Sequence, residues 1–371
     1  MSSPKKHPIT QDEIARITGV SQAAVSAILG SSEASKRVAV SEETRMRVLS
    51  AAAENGYRAR KKQPRSEPVG KTRTVLMVGG KYPTGTDVPW MEEAMTAVFA
   101  KMTRTCVERL AKSNTRMILL SEDPYQVVHR LKDSDIDGVL WHISDADPAP
   151  LQWVASRYPL VLLNRVWDGN ADYDIASLNQ EKAQLLALEH LWERGHRRIA
   201  MFGHWKGNSF FRRRVAAYKQ FTQEKNLRDY VEFQQIDDTP QIPAMQKVEA
   251  MLRLWRDMDT EAPTALIAPD VFTLPLMKLA SHYNVRVPED LSLVAMDNSL
   301  PCQAMEPMVT SVDFPFDEIA SVAVDMLLQR MDKPGQLSRT VQITPRLIAR
   351  NSVKNLLLGI TEPSASEVTT A

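Results

Sequence analysis

Residues 9–29 constrain this chain more than any other stretch: Ile9-Thr10-Gln11-Asp12-Glu13-Ile14-Ala15-Arg16-Ile17-Thr18-Gly19-Val20-Ser21-Gln22-Ala23-Ala24-Val25-Ser26-Ala27-Ile28-Leu29. The pattern predicts two short helices joined by a tight turn. Thr10 and Glu13 have the spacing of a capping box, and Ile9 with Ile14 that of a hydrophobic staple. Gly19 stands where the chain must turn sharply. Ser21 is placed to cap the second helix, with Val20 and Val25 as its staple. Both helices are too short to persist alone, so Ile14, Ile17, Val25, Ile28 and Leu29 are expected to pack together. The start of the second helix then faces outward. This is the layout of a helix-turn-helix, whose second helix enters the DNA major groove; a plain helical hairpin satisfies the same pattern. A third helix follows, with Ser41 as its cap and Glu42 and Glu43 in its positive first turn. Val48, Leu49 and Ala52 form its inner stripe, and it ends near Asn55-Gly56-Tyr57.

Charge is distributed unevenly. Residues 1–71 hold 13 Lys and Arg against 7 Asp and Glu, a net +6, whereas the remainder nets −5. The near-neutral total of +1 therefore conceals a basic head on an acidic body, an asymmetry that favours a polyanion at one end. For any single Lys or Arg, a solvated charged face is the alternative.

From Thr74 onward the pattern becomes alternating strands and helices. Strands are expected at Thr74–Val78, Arg116–Leu120, Gly138–Ile143, Leu160–Leu163, Ile199–Phe202, Glu232–Ile236, Ala265–Ala268 and Leu291–Ala295. Helices are expected at Glu92–Ala111, Asn179–Arg194, Arg212–Lys225 and near 243–257 and 273–283. Short apolar runs between amphipathic helices indicate parallel sheets covered on both faces. At roughly 100–200 residues per domain, the stretch from 73 to 355 is long enough for two α/β lobes. Ligands in such sheets bind at the carboxyl ends of strands.

Enzyme signatures do not appear. There is no Gly-x-x-x-x-Gly-Lys loop, no Gly-x-Gly-x-x-Gly turn, no His-Glu-x-x-His and no Gly-x-Ser-x-Gly elbow. Cys106 and Cys302 are too isolated for a structural zinc or a disulfide scaffold, and two free thiols fit a reducing cytoplasm. His190, His196 and His204 lie on different elements, so they are not read as a metal site; neither a metal nor a cofactor is expected. The polar start does not read as a signal peptide, and no run approaches the ~18 apolar residues of a membrane span. The polar tail over 356–371 is expected to be disordered.

The head resembles that of the LacI/GalR family of bacterial transcription regulators. The matching residues are Ile9-Thr10, Ile14-Ala15, Gly19-Val20-Ser21, Val25-Ser26, Val40-Ser41-Glu42-Glu43-Thr44-Arg45, Val48-Leu49, Ala51-Ala52 and Gly56-Tyr57-Arg58. The resemblance assigns base-edge reading to Gln22, Ala23 and Ala27. Gln can pair bidentately with adenine, and Ala can touch a thymine methyl. The family usually has Arg at the position of Ala27, so the family's usual operator does not carry over. Ser21 and Ser26 would position the helix on phosphates or cap it. The loop at 30–39 is longer than is typical, and its Lys36 and Arg37 can add phosphate contacts. Thr10, Tyr57, Lys61 and Lys62 complete the expected DNA contacts. The linker Arg60-Lys61-Lys62-Gln63-Pro64-Arg65-Ser66-Glu67-Pro68 lacks the family's wedging Leu, and its two prolines oppose a helix. It reads as an extended basic segment on phosphates or as a plain flexible linker.

The body resembles the same family through Leu162-Leu163-Asn164-Arg165, Arg194-Gly195-His196-Arg197-Arg198-Ile199-Ala200, Pro263-Thr264-Ala265, Val287-Pro288-Glu289-Asp290-Leu291-Ser292, Asp297-Asn298 and Arg350-Asn351-Ser352. The implied architecture is an all-α helix-turn-helix headpiece (1–59), a basic hinge linker (60–72) and a two-lobed periplasmic-binding-protein type I fold (73–355). The chain would cross between lobes near 163–176, 296–312 and 330–342. Arg214, in Arg214-Val215-Ala216-Ala217-Tyr218, matches a position that grips ligand hydroxyls or carboxylate, and Asp270 matches a second. Asp297, Asn164 and Arg165 join them as candidates. Arg and Asp together suit a polyol; a salt bridge closing the domain is the lesser alternative. Trp90, Trp141, Trp205 and Phe210 lie at or soon after strand ends, where they could stack on a sugar or simply pack in the core.

The resulting expectation is a cytoplasmic, homodimeric regulator that binds a palindromic operator and answers to a small molecule, most simply a saccharide, in the cleft between lobes. A nucleobase or a sugar acid is the lesser option for that ligand. A solute-binding receptor without a DNA role and an α/β enzyme are the alternative functions.

Overall fold

Capping chemistry sets out the first three helices in the computed structural model. It describes residues 9–29, 40–55, 57, 72–79, 89–131, 134–142, 148–165, 173–203, 209–233 and 244–357. Helix α1 spans Gln11–Thr18, α2 Gln22–Leu29 and α3 Glu42–Glu54. Thr10 and Glu13 close a reciprocal capping box: the Glu13 carboxylate accepts from the Thr10 N–H at 2.7 Å, and Thr10 Oγ1 accepts from the Glu13 N–H at 3.3 Å. Gly19 ends α1 at φ 66°, the left-handed region that glycine enters without penalty. Ile14, Val25, Ile28, Leu29, Val48 and Leu49 are buried, with Ile9 and Val20 packed against them. Ile17 departs from expectation and is 57 % exposed. Thr18, four residues after Ile14, takes the inner position instead: it is 8 % exposed, and its hydroxyl donates to the Ile14 carbonyl at 2.7 Å.

The body follows as β1 (Arg73–Gly79), α4 (Pro89–Ala111), β2 (Thr115–Leu120), α5 (Pro124–Leu131), β3 (Gly138–His142), α6 (Pro148–Ala155), β4 (Leu160–Leu163) and β5 (Asp174–Leu178). Next come α7 (Gln180–Glu193), β6 (Ile199–Gly203), α8 (Ser209–Glu224), β7 (Tyr230–Phe233), α9 (Ala244–Met258), β8 (Ala265–Pro269), α10 (Thr273–His282) and β9 (Ser292–Asp297). The chain closes with α11 (Leu300–Ala304), β10 (Thr310–Asp313), α12 (Phe316–Asp332), β11 (Thr340–Ile343) and β12 (Arg346–Ile348). Two six-stranded sheets result, ordered β11-β5-β4-β3-β1-β2 and β12-β10-β9-β8-β6-β7. Pairing is parallel from β2 to β5 and from β7 to β10, and β12 joins β10 antiparallel. Central strands such as β3, β4, β6 and β8 are buried along their whole length, as a sheet covered on both faces requires.

The described residues fall into two units. One gathers those within 1–82, 96–177 and 316–341; the other gathers those within 83–95, 178–315 and 342–371. The exchanges at 177/178 and 315/316 lie slightly beyond the expected 163–176 and 296–312. The strands β5 and β10 extend the sheets further along the chain than apolar periodicity indicates. The first unit includes the three-helix head, whose Val25, Leu29, Val48 and Ala52 share an apolar cluster with Val127, Leu131, Trp153 and Val154. The second has its own core around Phe202, Leu252, Leu266, Phe272, Leu276 and Leu293. Full burial of each such side chain contributes about 1.5–3 kcal/mol.

Candidate DNA-reading helix and effector site

The head exposes the start of α2. Ser21 Oγ accepts the Ala24 N–H at 3.3 Å and so caps the helix, while Ser21, Gln22 and Ala23 are exposed and Ser26 is part-exposed. The Gln22 carboxamide therefore stands in solvent at the helix N-terminus, where an α-helix in the major groove presents its base-reading side chains. Ala27 is 6 % exposed, so its methyl points into the head and adds little to that surface. Thr10 is engaged in the capping box, and the Tyr57 hydroxyl accepts from Gln11 Nε2 at 2.8 Å. Lys36, Arg37, Lys61 and Lys62 lie outside the described residues.

In the second unit, a charged group forms where strands β8 and β9 end. Asp270 follows β8 directly and is 5 % exposed. One of its oxygens accepts from the backbone N–H of Ser299, the other from Ser311 Oγ at 3.4 Å. Burial raises its pKa, opposed by these hydrogen bonds. Asp297 closes β9 at φ 113°, a conformation that non-glycine residues seldom adopt. Burial, reinforced by the charge of Asp270, raises its pKa as well, while Arg214 pulls it back down. Arg214 projects from α8. Its Nε donates to Gln180 Oε1 at 2.7 Å, and its guanidinium lies 4.9 Å from the centre of the Phe314 ring. Burial lowers the guanidinium pKa against the pull of Asp297 and Asp270, yet an Arg stays charged in a protein.

The turn carrying Asp297 is fixed from behind. The Asn298 N–H donates to Ser311 Oγ at 3.0 Å, and its Nδ2 donates to Asp313 Oδ1 at 2.9 Å. Arg350 Nη2 donates to Asn298 Oδ1 at 2.6 Å, and its Nη1 donates to the Val309 carbonyl at 2.6 Å. Ser311 thus accepts from one strand-end turn and donates to the carboxylate of another. With Asp270 turned inward on Ser299 and Ser311, the part-exposed members of the group are Arg214 and Asp297. A fork of donors beside a carboxylate can hold vicinal hydroxyls from both sides.

The first unit ends its strands differently. His142, at the end of β3, donates from Nδ1 to the Leu163 carbonyl at 2.8 Å and stacks on Phe99, with centroids 5.5 Å apart and planes 17° apart. Burial, aided by the charge of Arg165, pulls its pKa down to about 4, so the imidazole is neutral. Asn164 follows β4 at φ 48° and is 7 % exposed. Its N–H donates to the Ala176 carbonyl at 2.7 Å, while its Oδ1 is buried with no hydrogen-bond partner among the described residues. Arg165, next to it, is part-exposed. Trp141 is 4 % exposed, which makes it a core residue. Phe210 lies half-buried in the first turn of α8. The helix bearing Trp90 is described but its side chain is not, and Trp205 lies outside the described residues.

Sequence reading missed Gln180, Ser299, Ser311, His142 and the Asn298–Asp313–Arg350 chain. Only the motif Asp297-Asn298 and the terminal Arg350 gave a signal. The histidine pattern resolves into structure. His196 holds Thr264 at 2.9 Å and the Lys354 carbonyl at 3.0 Å, and burial pulls both His190 and His196 down to about 4. His204 lies outside the described residues. Among the described residues no cluster of metal-ligating side chains occurs, Cys106 and Cys302 are buried free thiols, and no helix is long and apolar enough to cross a membrane.

A family profile described as a periplasmic binding protein-like domain matches residues 188–353. The HTH-type transcriptional repressor PurR of Aliivibrio salmonicida is 26 % identical over 352 residues, covering 94 % of this chain and 99 % of that protein. The NTD biosynthesis operon regulator NtdR of Bacillus subtilis is 23 % identical over 352 residues, covering 92 % of this chain and 99 % of its own. Among solved structures, the transcriptional regulator CelR in complex with cellobiose aligns with a TM-score of 0.63 at 21 % identity, over 93 % of this chain and 99 % of that one.

Proposed function

We propose that this chain, a transcriptional regulator of the LacI/GalR type, is a cytoplasmic repressor that binds a palindromic operator as a homodimer and is controlled by a saccharide. One observation carries the effector half of this reading: Arg214 and Asp297 stand part-exposed at strand ends of the second unit, backed by Asp270 and locked by Gln180, Ser311 and Asn298. Such a preorganised donor–acceptor pair suits a ligand rich in hydroxyls. The cellobiose named with the CelR structure belongs to the same chemical class. Asn164, Arg165, Phe210, Trp90 and Trp205 are the remaining candidate contacts.

DNA reading falls to Gln22 and Ala23, with Ser21 and Ser26 on phosphates and Lys36, Arg37, Lys61 and Lys62 supplying sequence-independent charge. A ligand changes operator affinity only by as much as it prefers one state of the body over another. The chain acts as a binding protein rather than as an enzyme. A thermal-shift screen of the full chain against a sugar library tests the effector, since a bound ligand stabilises the folded body. A gel-shift series over rising salt tests the DNA role: log affinity falls linearly with log salt if phosphates are contacted. Gln22→Ala costs about 1–3 kcal/mol at the preferred site and relaxes one base position. A flat salt response, or selectivity unchanged in the variant, would contradict the operator reading.

A further inference from the structure

At the ends of β8 and β9 the charges do not balance. Arg214 brings one positive group, whereas Asp270 and Asp297 bring two carboxylates. The nearest other charged groups are engaged with the turn behind. Asp313, at the end of β10, accepts from Asn298 Nδ2, and Arg350 donates to Asn298 Oδ1 and to the Val309 carbonyl.

The two carboxylates differ in what they touch. Asp270 is 5 % exposed and satisfied from behind, with the Ser299 N–H on one oxygen and Ser311 Oγ on the other. Asp297 is part-exposed, and no donor of any described residue reaches its carboxylate within hydrogen-bond distance. Its backbone is held at φ 113°, a strain that persists only where the surroundings enforce it and that gathers at ligand-holding positions. Arg214 commits its Nε to Gln180 Oε1 at 2.7 Å, and its terminal nitrogens meet no acceptor among the described residues.

An uncompensated carboxylate in a group that the fold largely desolvates is unfavourable. In the empty site a proton relieves the excess, because burial and the neighbouring carboxylate raise the proton affinity of Asp297. A ligand that carries its own positive charge takes over that task and supplies N–H donors to an acceptor that has none. A neutral polyol leaves the excess as it was, and a sugar acid adds to it.

We propose that the saccharide recognised at this site carries a free amine: Asp297 pairs with its ammonium group, Arg214 donates to its oxygens, and Asp270 contributes negative charge from behind while staying on Ser299 and Ser311. This rests on the saccharide reading above and narrows it to amino sugars. Acetylating the amine removes the positive charge, so N-acetylated sugars fall outside the class, as do uronic acids.

The test is a thermal-shift panel on the full chain in which each sugar skeleton appears in matched forms. Glucose, glucosamine, N-acetylglucosamine and glucuronate make up one set, the galactose counterparts a second, and cellobiose with its diamino counterpart a third. Isothermal titration then gives affinities within any set that stabilises the protein. The amino form binds about tenfold to a hundredfold more tightly than its neutral counterpart, the span of a hydrogen bond to a charged group. The N-acetylated and acidic forms lose that gain. Asp297→Asn brings the amino and neutral forms to similar affinity, and Asp297→Glu restores part of the preference. The wild-type panel reads the preference by itself, so a variant that fails to fold does not remove the test. A neutral or acidic form that binds as tightly as its amino counterpart overturns the amine assignment and leaves the saccharide reading intact. An amine preference that survives in an Asp297→Asn variant folded by circular dichroism also overturns it. A panel in which no sugar stabilises the chain overturns the saccharide reading itself.

Discussion

Where β8 and β9 end, the second unit gathers Arg214, Asp270 and Asp297 within a chain of hydrogen bonds that runs through Ser311, Asn298 and Arg350. Where β3 and β4 end, the first unit offers a neutral imidazole stacked on Phe99 and an asparagine whose buried carbonyl finds no partner among the described residues. The same architectural position carries opposite chemistry in the two. Charge held in place by a second layer of hydrogen bonds gives affinity and direction, because its orientation is fixed before a ligand arrives. A flat neutral ring and a left-handed asparagine contribute shape, and a change there costs less. The two sets of strand ends therefore differ in kind: fixed charge in the second unit, a neutral ring and a left-handed asparagine in the first.

The largest expected effect follows from breaking the grip. Arg214→Ala strips Gln180 of its donor and leaves Asp297 and Asp270 without their cation. Truncating one member of a charge group that the fold largely desolvates costs about 2–5 kcal/mol. Isothermal titration with the effector found by the thermal-shift screen therefore shows a loss of thirtyfold or more on that scale, while effector-free operator binding is retained. An undiminished operator response to the effector would remove Arg214 from the site.

Asp297→Asn sharpens the comparison through pH. Burial raises the Asp297 pKa above the ordinary carboxylate range, so between the two values the folded state holds a proton that the unfolded state has released. Stability contributed by that proton is present at acid pH and declines as pH rises past about 3.9, until the raised value is passed. The Asn variant lacks this decline. Its melting temperature gains on the wild type at pH 8 relative to pH 5, although it binds effector weakly. Equal gains at both pH values would contradict the buried charge pair.

The first unit behaves in the opposite sense. His142 is pulled down to about 4, so the unfolded chain takes up a proton first as pH falls below the unperturbed value near 6.5. Stability from the neutral ring is complete above that value and is lost toward pH 4. His190 and His196 act in the same direction. His142→Asn keeps an N–H donor for Leu163 and removes roughly a third of this acid-side slope, taking the three shifts as equal. The smallest effect belongs to Asn164→Gly. Glycine accepts the left-handed backbone that Asn164 occupies at φ 48°, so unfolding by urea shifts by less than about 1 kcal/mol while ligand selectivity changes. A large destabilisation would mean that the Asn164 side chain supports the fold.

Much of this was legible in the sequence because the signals were local. The capping box at Thr10 and Glu13, the αL glycine at 19 and the ends of α7 at Asn179 and Arg194 depend on residues a few positions apart. Strand β10 was not legible. Thr310 and Ser311 are fully buried, which polar residues accept only because the Thr310 N–H reaches Ser352 and Ser311 bridges Asn298 and Asp270. Those partners are 13 to 42 residues away. Strand β5 was hidden for a similar reason: Asp174 is buried against Arg330 at 2.7 Å and the Arg339 N–H at 2.9 Å. The charged group at the ends of β8 and β9 was legible by position and less so by orientation. Arg214 and Asp297 were located by their motifs, but Gln180 becomes a partner only once α7 and α8 pack together. The burial of Ala27 likewise depends on the finished head.

Asp297 occupies a torsion that glycine would enjoy most, yet it holds a carboxylate there. Comfort of the main chain and usefulness of the side chain pull in opposing directions at that single residue. Anyone retuning which small molecule the protein answers to inherits this tension, and can turn it to advantage. In the proposed site, substituting Asn or Gly at position 297 alters what is offered to a guest, and Gly also relieves the torsion. If the proposed site is right, a library at this residue changes preference while the backbone torsion there is eased or unchanged.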